Sequence, residues 1–339
     1  LPRVLNNPLA GTSRGGRSSP AALFLRLLRF VVAGGLLYYA VYAVDWRLAA
    51  RALADASPAW IAAAAVLTVL DRMTMAWRWV TLLRAVDANR PLRTAPLLRV
   101  FFVSGFAGTF IPAGSFGGDT VRAVAATRQG VTMANAVASV ALDRLLGTVS
   151  VLLSGVVGIM LLGRLEYRWL LWVAGALGGA GAVATWLLLF DSRVYRVLLQ
   201  RTGLSRIAAV DRLAHKFLDA VGQYANKRSV VAGVLAGSVF VHVLRTLQVW
   251  ALGMALGMTI PLIWYFAAVP LIVLIMLLPI SPNGIGTGNA AFVYLFGVAG
   301  VTQEDAVLLS ILFMLLSVIG NLPGGLLLAF RPRDDQREG

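Results

Sequence analysis

Long apolar runs, broken by short basic or glycine-rich stretches, set the pattern of this chain. The runs predict helices at about 23–44, 58–83, 95–112, 131–163, 167–190, 229–257, 262–281 and 304–330, with a short helix over 287–297. Several hold about 18 or more mainly apolar residues, enough to cross a bilayer as helix. None alternates as a barrel strand would. In hydrocarbon the backbone polar groups must pair internally, and a helix does this within one segment. The expected fold class is therefore an all-α polytopic membrane protein.

The polar breaks say which side of the membrane each link occupies. Arg3, Arg14 and Arg17 lie in a Gly-, Ser- and Pro-rich stretch, 1–22, that reads as a disordered tail. Arg84, Arg90, Arg93 and Arg99 follow the second run. The link from Asp191 to Ser229 holds eight basic residues against three acidic ones. Arg331, Arg333 and Arg337 close the chain in the 331–339 tail. Basic links belong on the cytoplasmic side. Eight full crossings would put the basic 191–228 link outside. About six full crossings with two re-entrant Pro/Gly hairpins, at about 95–130 and 262–300, put every basic link and both termini inside. Within the link, Ile207, Val210, Ala214, Phe217, Leu218 and Val221 recur at helical spacing, as in an amphipathic helix on the membrane surface.

An internal echo fits this count. Pro112-x4-Gly117 returns as Pro279-x4-Gly284, Gly130-Val131-Thr132 as Gly300-Val301-Thr302, and Arg72-x4-Trp77 as Arg245-x4-Trp250. The offsets are 167, 170 and 173 residues, in the same order along the chain. Two halves are expected, 23–165 and 166–330, arranged as an inverted repeat, a common construction in transporters.

Composition narrows the classes. The chain is 59% hydrophobic and 13% charged, too apolar for a soluble domain of its length. Its net charge of +15 suits cytoplasmic loops beside anionic lipid. No water-facing domain is large enough to make it a nucleic-acid binder. Cysteine is absent, and the two histidines, His215 and His242, are far apart, so no disulfide and no metal site is expected. No nucleotide-binding motif is visible, and no cofactor is expected.

Charges inside apolar runs are costly and call for a reason. Asp71, Arg72 and Arg78 lie in the second run, Asp143 and Arg144 in the fourth, and His242 and Arg245 in the sixth. Asp119 and Arg122 lie in the first hairpin. Guanidinium groups bind phosphate in a bidentate fork and stay charged in apolar surroundings. Arg72, Arg122, Arg144 and Arg245 are the candidate phosphate ligands. Asp71, Asp119 and Asp143 are candidate ion-pair partners or proton sites. The competing reading is structural pairing alone, each charge neutralised by another helix, since adjacent residues do not share a helix face.

The hairpins supply the other candidates. Pro112, Gly114, Gly117 and Gly118 lead into Asp119, which is either an N-cap or, with Arg122 and the loop amides, part of an anion site. Pro279, Ser281, Asn283, Gly284, Gly286 and Asn289 form a polar, uncharged second loop. Its side chains suit sugar or glycerol hydroxyls, or equally a capped turn. Trp46, Trp60, Trp169, Trp172 and Trp264 read as interface anchors.

Pro112-x4-Gly117-Gly118-Asp119-x2-Arg122, Leu142-Asp143-Arg144, Pro279-x-Ser281 and Gly284-x-Gly286 resemble the lysylphosphatidylglycerol synthase transmembrane-region family over most of 23–330. This is a flippase-like domain that also precedes the synthase domain of multiple-peptide-resistance proteins. The resemblance is to the standalone form, so the aminoacyl-transferase activity of the fused proteins is not carried over to it. It implies movement of a phospholipid, an aminoacyl phospholipid or a polyprenyl-linked sugar between leaflets of the bacterial cytoplasmic membrane. The implied partners are anionic or lipid-linked headgroups and enzymes of envelope-lipid or glycan synthesis. The family usually has glutamate where Asn289 stands, which points to a different lipid. A membrane-embedded lipid-modifying enzyme, a solute transporter and a non-catalytic scaffold are the rival readings. For the enzyme, His242 with Arg245 is the one faint candidate pair.

Overall fold

A computed structural model describes residues 47, 54, 56–86, 92–110, 115–162, 219–220, 222–277 and 286–329. Among these are eight α-helices and no strand. They are α1 (Pro58–Val86), α2 (Thr94–Phe110), α3 (Ser115–Thr127), α4 (Met133–Leu162), α5 (Arg228–Ala255), α6 (Leu262–Leu277), α7 (Thr287–Gly297) and α8 (Gln303–Ala329). A 3₁₀ turn, Gln223–Asn226, precedes α5. The predicted runs at 23–44 and 167–190, most of the amphipathic link, Pro112, Gly114, Pro279, Ser281, Asn283 and Gly284 lie outside the described residues.

Four helices, α1, α4, α5 and α8, are long and apolar enough to cross a membrane. The order long, medium, short, long occurs twice: 29, 17, 13 and 30 residues, then 28, 16, 11 and 27. Val66, Met160 and Leu326 are each more than half exposed on these long helices, a surface fit for lipid rather than water.

Local chemistry sets the helix ends. Pro58 occupies the first position of α1, where a missing N–H costs nothing. Thr132 caps α4 by accepting the Asn135 amide at 3.2 Å, and Thr302 caps α8 by accepting the Asp305 amide at 3.1 Å. Each cap follows a left-handed glycine, Gly130 at φ 84° and Gly300 at φ 87°. Gly130 donates to the Thr127 carbonyl and Gly300 to the Gly297 carbonyl, closing α3 and α7 in the same way.

α1 and α5 pack along their length and run antiparallel. Ser57 N–H donates to the Ala255 carbonyl at one end, and Lys227 Nζ donates to the Ala85 carbonyl at the other. Trp60 and Trp250 meet edge to face near the first end, 5.1 Å between centroids. The shorter helices reach across to the far segment. α2 lies on α8, where Gly324 leaves room for the Phe102 carbonyl. α6 lies on α4, where Gly158 leaves room for the Phe266 carbonyl. Backbone fills the space of a side chain at both seams, so a Cβ at either glycine would collide with it.

Apolar clusters sit at both ends of α1. Ala64 belongs to a core with α4, α5, α6, α7 and α8. Ala76, Trp79, Val80 and Leu83 belong to a second with α2, α3 and α4. Leu82, Ala85 and Val86 join a third with α4, α5 and Tyr224. Asp71 and Arg72 fall between the first core and the others.

Candidate functional site

Three buried or half-buried aspartates organise the charged centre. Asp143 on α4 accepts from Arg78 Nη2 of α1 at 2.7 Å, and Arg122 Nη1 of α3 stands 3.7 Å from its other oxygen. Arg78 Nη2 also donates to the Asp143 backbone carbonyl at 3.0 Å. Both side chains of the Arg78–Asp143 pair are more than nine-tenths buried. A charge removed there would leave its partner uncompensated in a low-dielectric setting.

Arg122 is held on several sides. Its Nε donates to Ser104 Oγ of α2 at 3.2 Å. Its guanidinium lies over Phe101 at 4.7 Å and over Trp79 at 5.5 Å from the ring centroids, two cation–π contacts. One residue beyond Asp143, Arg144 turns the other way and grips Asp119 of α3 in a bidentate fork, 2.7 and 3.1 Å. Thus Asp119 and Arg122, three residues apart on α3, pair with the adjacent Arg144 and Asp143 of α4 and not with each other.

Asp71 on α1 anchors the second group. Arg245 of α5 donates to its two oxygens at 3.2 and 3.5 Å, and Arg72 Nη1 stands 3.9 Å away. Arg72 reaches on to the Ser317 carbonyl of α8 at 3.4 Å. Met75 Sδ lies 3.3 Å from Arg245 Nη2. His242 Nε2 lies 3.4 Å from the Gly147 carbonyl, and Arg78 Nη2 packs beside the same glycine from α1. Gly147 therefore stands between the two charged groups.

The four candidate phosphate ligands come together as two pairs, Arg122 with Arg144 and Arg72 with Arg245. The expectation that adjacent charges pair with other helices holds for Asp71 with Arg245, for Asp143 and for Arg144. One reading needs correction. Asp119 is not an N-cap, because α3 begins at Ser115 and Asp119 lies inside it. Trp264 is buried and donates to the Leu295 carbonyl at 3.1 Å. Trp60 packs on Trp250, while Trp46, Trp169 and Trp172 lie outside the described residues.

The glycines of the first hairpin serve close approach. A Cβ at Gly118 would stand 2.8 Å from the Ser104 carbonyl, and one at Gly108 would stand 2.9 Å from Gly118 Cα. Gly117 is half-buried beside it. In the second hairpin Gly286 takes φ 87° just before α7, and Asn289 lies in the first turn of that helix. The Asn289 Oδ1 is buried without a hydrogen-bond partner among the described residues.

Ser104, Trp79 and Phe101 were not legible as site residues. A lone serine in the apolar run Phe101–Phe106 was the available signal. Tyr224, outside the long helices, donates to the Leu82 carbonyl at 2.9 Å. Burial, and then the nearby negative charge of Asp143, push its phenol well above its ordinary pKa.

Among the described residues, five arginines against three aspartates leave the centre with an excess of two positive charges, since guanidinium does not deprotonate in proteins. Buried charge across apolar, membrane-length helices defines an all-α membrane protein with a polar interior. The chain belongs to the family described as lysylphosphatidylglycerol synthase TM region, whose model matches residues 26–325. Comparison with curated proteins gives no match. Membership ties the chain to membrane-lipid function.

Proposed function

We propose that this protein is a lipid flippase that moves a phosphate-bearing lipid between leaflets along a path lined by Arg72, Arg122, Arg144 and Arg245. The observation that carries the reading is the surplus of guanidinium over carboxylate inside helices of membrane length. Phosphate is the lipid group that such a surplus suits, and acyl chains can stay in the bilayer as the headgroup crosses. Family membership over 26–325 favours a lipid cargo over a water-soluble one. In this reading Asp71, Asp119 and Asp143 hold the arginines in place between passages.

The same proposal includes the architecture. Two halves, 23–165 and 166–330, are related by an axis in the membrane plane, with re-entrant hairpins formed by α2–α3 and α6–α7. The repeated order of helix lengths supports it, as do the matching turns at Gly130 and Gly300 and the paired glycine seams. The antiparallel run of α1 against α5, which carry Arg72 and Arg245 at the 173-residue offset, favours inversion over a parallel repeat. The setting is the bacterial cytoplasmic membrane with both termini inside. Partners would be enzymes of envelope-lipid or glycan synthesis that make or use the lipid.

The test is translocation of labelled lipids in proteoliposomes, with and without an imposed ion gradient. Translocation by the wild type, lost in folded Arg122→Ala and Arg144→Ala, is expected. No translocation of any lipid above empty liposomes would overturn the reading.

A further inference from the structure

We infer that the lipid carries its charge as phosphate alone, decorated with neutral hydroxyl groups, and that headgroups bearing an ammonium are turned away. This rests on the flippase reading and narrows its substrate. Within the eight helices the acidic side chains are Asp71, Asp119 and Asp143, apart from Glu304 and Asp305 in the first turn of α8. Each of the six oxygens of those three aspartates has a guanidinium nitrogen within 3.7 Å. Asp119 is occupied on both oxygens by Arg144, and Asp71 on both by Arg245. Among the described residues of the centre, an arriving ammonium finds every carboxylate oxygen already beside a guanidinium. It meets instead a centre with two positive charges in excess, and like charges brought together disfavour the wrong partner strongly.

The other hairpin offers no relief. From Thr246 to Gln303 the chain has no Asp, Glu, Lys, Arg or His. The polar group it presents is an amide, Asn289, whose buried Oδ1 is without a partner among the described residues. A neutral acceptor suits a hydroxyl, and it supplies no countercharge for an amine. On the donor side, Arg72 Nε and Arg78 Nε are buried and without hydrogen-bond partners among the described residues, so the guanidinium surplus is one of donors as well as of charge. Phosphate is acceptor-rich and anionic, and it matches both surpluses. The shared chemistry is a phosphodiester bearing hydroxyls, which a phosphoglycerol lipid and a polyprenyl-phosphate sugar both supply.

Wild-type protein in proteoliposomes would be given, one at a time, fluorescent phosphatidylglycerol, a polyprenyl-phosphate sugar analogue, lysyl-phosphatidylglycerol and phosphatidylethanolamine. The expected result is translocation of at least one of the first two, ~10-fold or more faster than either of the last two. The lipid preferred between the first two names the source. Equal rates for the ammonium lipids would overturn the inference and leave the flippase reading standing. No translocation of any lipid would overturn both.

Arg144→Gln sharpens the test. Its side chain is 42% exposed, the most open of the arginine set, and removing it frees both oxygens of Asp119. The ratio of the rise in unfolding temperature given by short-chain lysyl-phosphatidylglycerol to that given by phosphatidylglycerol, measured in detergent, should be greater than in the wild type. An unchanged ratio in folded protein would overturn the role given to the occupied carboxylates. A readout independent of transport is the unfolding temperature in detergent with short-chain lipids added. Phosphatidylglycerol should raise it and lysyl-phosphatidylglycerol should not; the reverse order would overturn the inference.

Discussion

Where α3 packs on α4, Arg122 meets Asp143; 170 residues later, where α7 packs on α8, Phe292 meets Phe313. The same offset carries Asp119 to Asn289 and Arg144 to Met314. The second joint is aromatic and apolar. Phe292 and Phe313 lie 5.6 Å apart, and Phe292 stacks on Phe296 at 5.7 Å. The glycine turns and threonine caps that lead into α4 and α8 are alike. A joint of this shape can therefore be closed by ring packing alone. Ion pairs at the same place carry a desolvation penalty that packed rings avoid. In the proposed reading, the charges of the first joint serve headgroup passage and not closure.

The largest expected effect breaks the charged joint. Asp143→Ala strands Arg78 and Arg122 in a buried setting and should destabilise the protein by about 3–5 kcal/mol, read by thermal or denaturant unfolding in detergent. Next, the charged joint can be rebuilt in the style of the other. Arg78→Met, Arg122→Phe and Asp143→Phe together should leave stability unchanged or raise it by about 1–4 kcal/mol, while lipid translocation disappears. Retained translocation in that triple variant would mean that the charges are structural after all.

A smaller effect tests what the two regions share. Gly158→Ala drives a methyl into the Phe266 carbonyl, and Gly324→Ala drives one into the Phe102 carbonyl. Each should cost about 1–3 kcal/mol, and the two losses should be similar, measured in the same unfolding assay. The smallest effect concerns the caps. Thr132→Ala and Thr302→Ala should each cost about 1 kcal/mol. The Thr302 loss should be the greater, because its hydroxyl also bonds Asp305 Oδ2 at 2.7 Å.

Helix positions were legible because an apolar run in a membrane protein has one economical backbone solution. The runs expected at 58–83, 131–163 and 229–257 became α1, α4 and α5 within a few residues at each end. The opening of α3 was not legible. Gly117 and Gly118 read as loop, since glycine lowers helix propensity. Both lie inside α3, where Gly118 packs so close to Ser104 and Gly108 of α2 that a side chain there would collide. The charged residues were legible as a set, since charge in an apolar run stands out. Their pairing was not. Spacing showed that Asp119 and Arg122 share a face of α3, but only the approach of α4 decides that each turns outward to a different partner. Ser104, Trp79 and Phe101 escaped notice for a similar reason: a hydroxyl and two rings become ligands of Arg122 only after three helices meet.

The two glycine seams bear on the order of assembly. α2 finds its main partner beyond its own hairpin in α8, the most C-terminal of the described helices, and α6 finds its partner in α4, made long before it. Each of these two helices thus completes its packing only when a distant stretch of the chain is in place. A chain emerging from its N-terminus inserts the first hairpin without its seam. That hairpin must wait for α8, and the carbonyl of Phe102 meets Gly324 only after 222 further residues have been made.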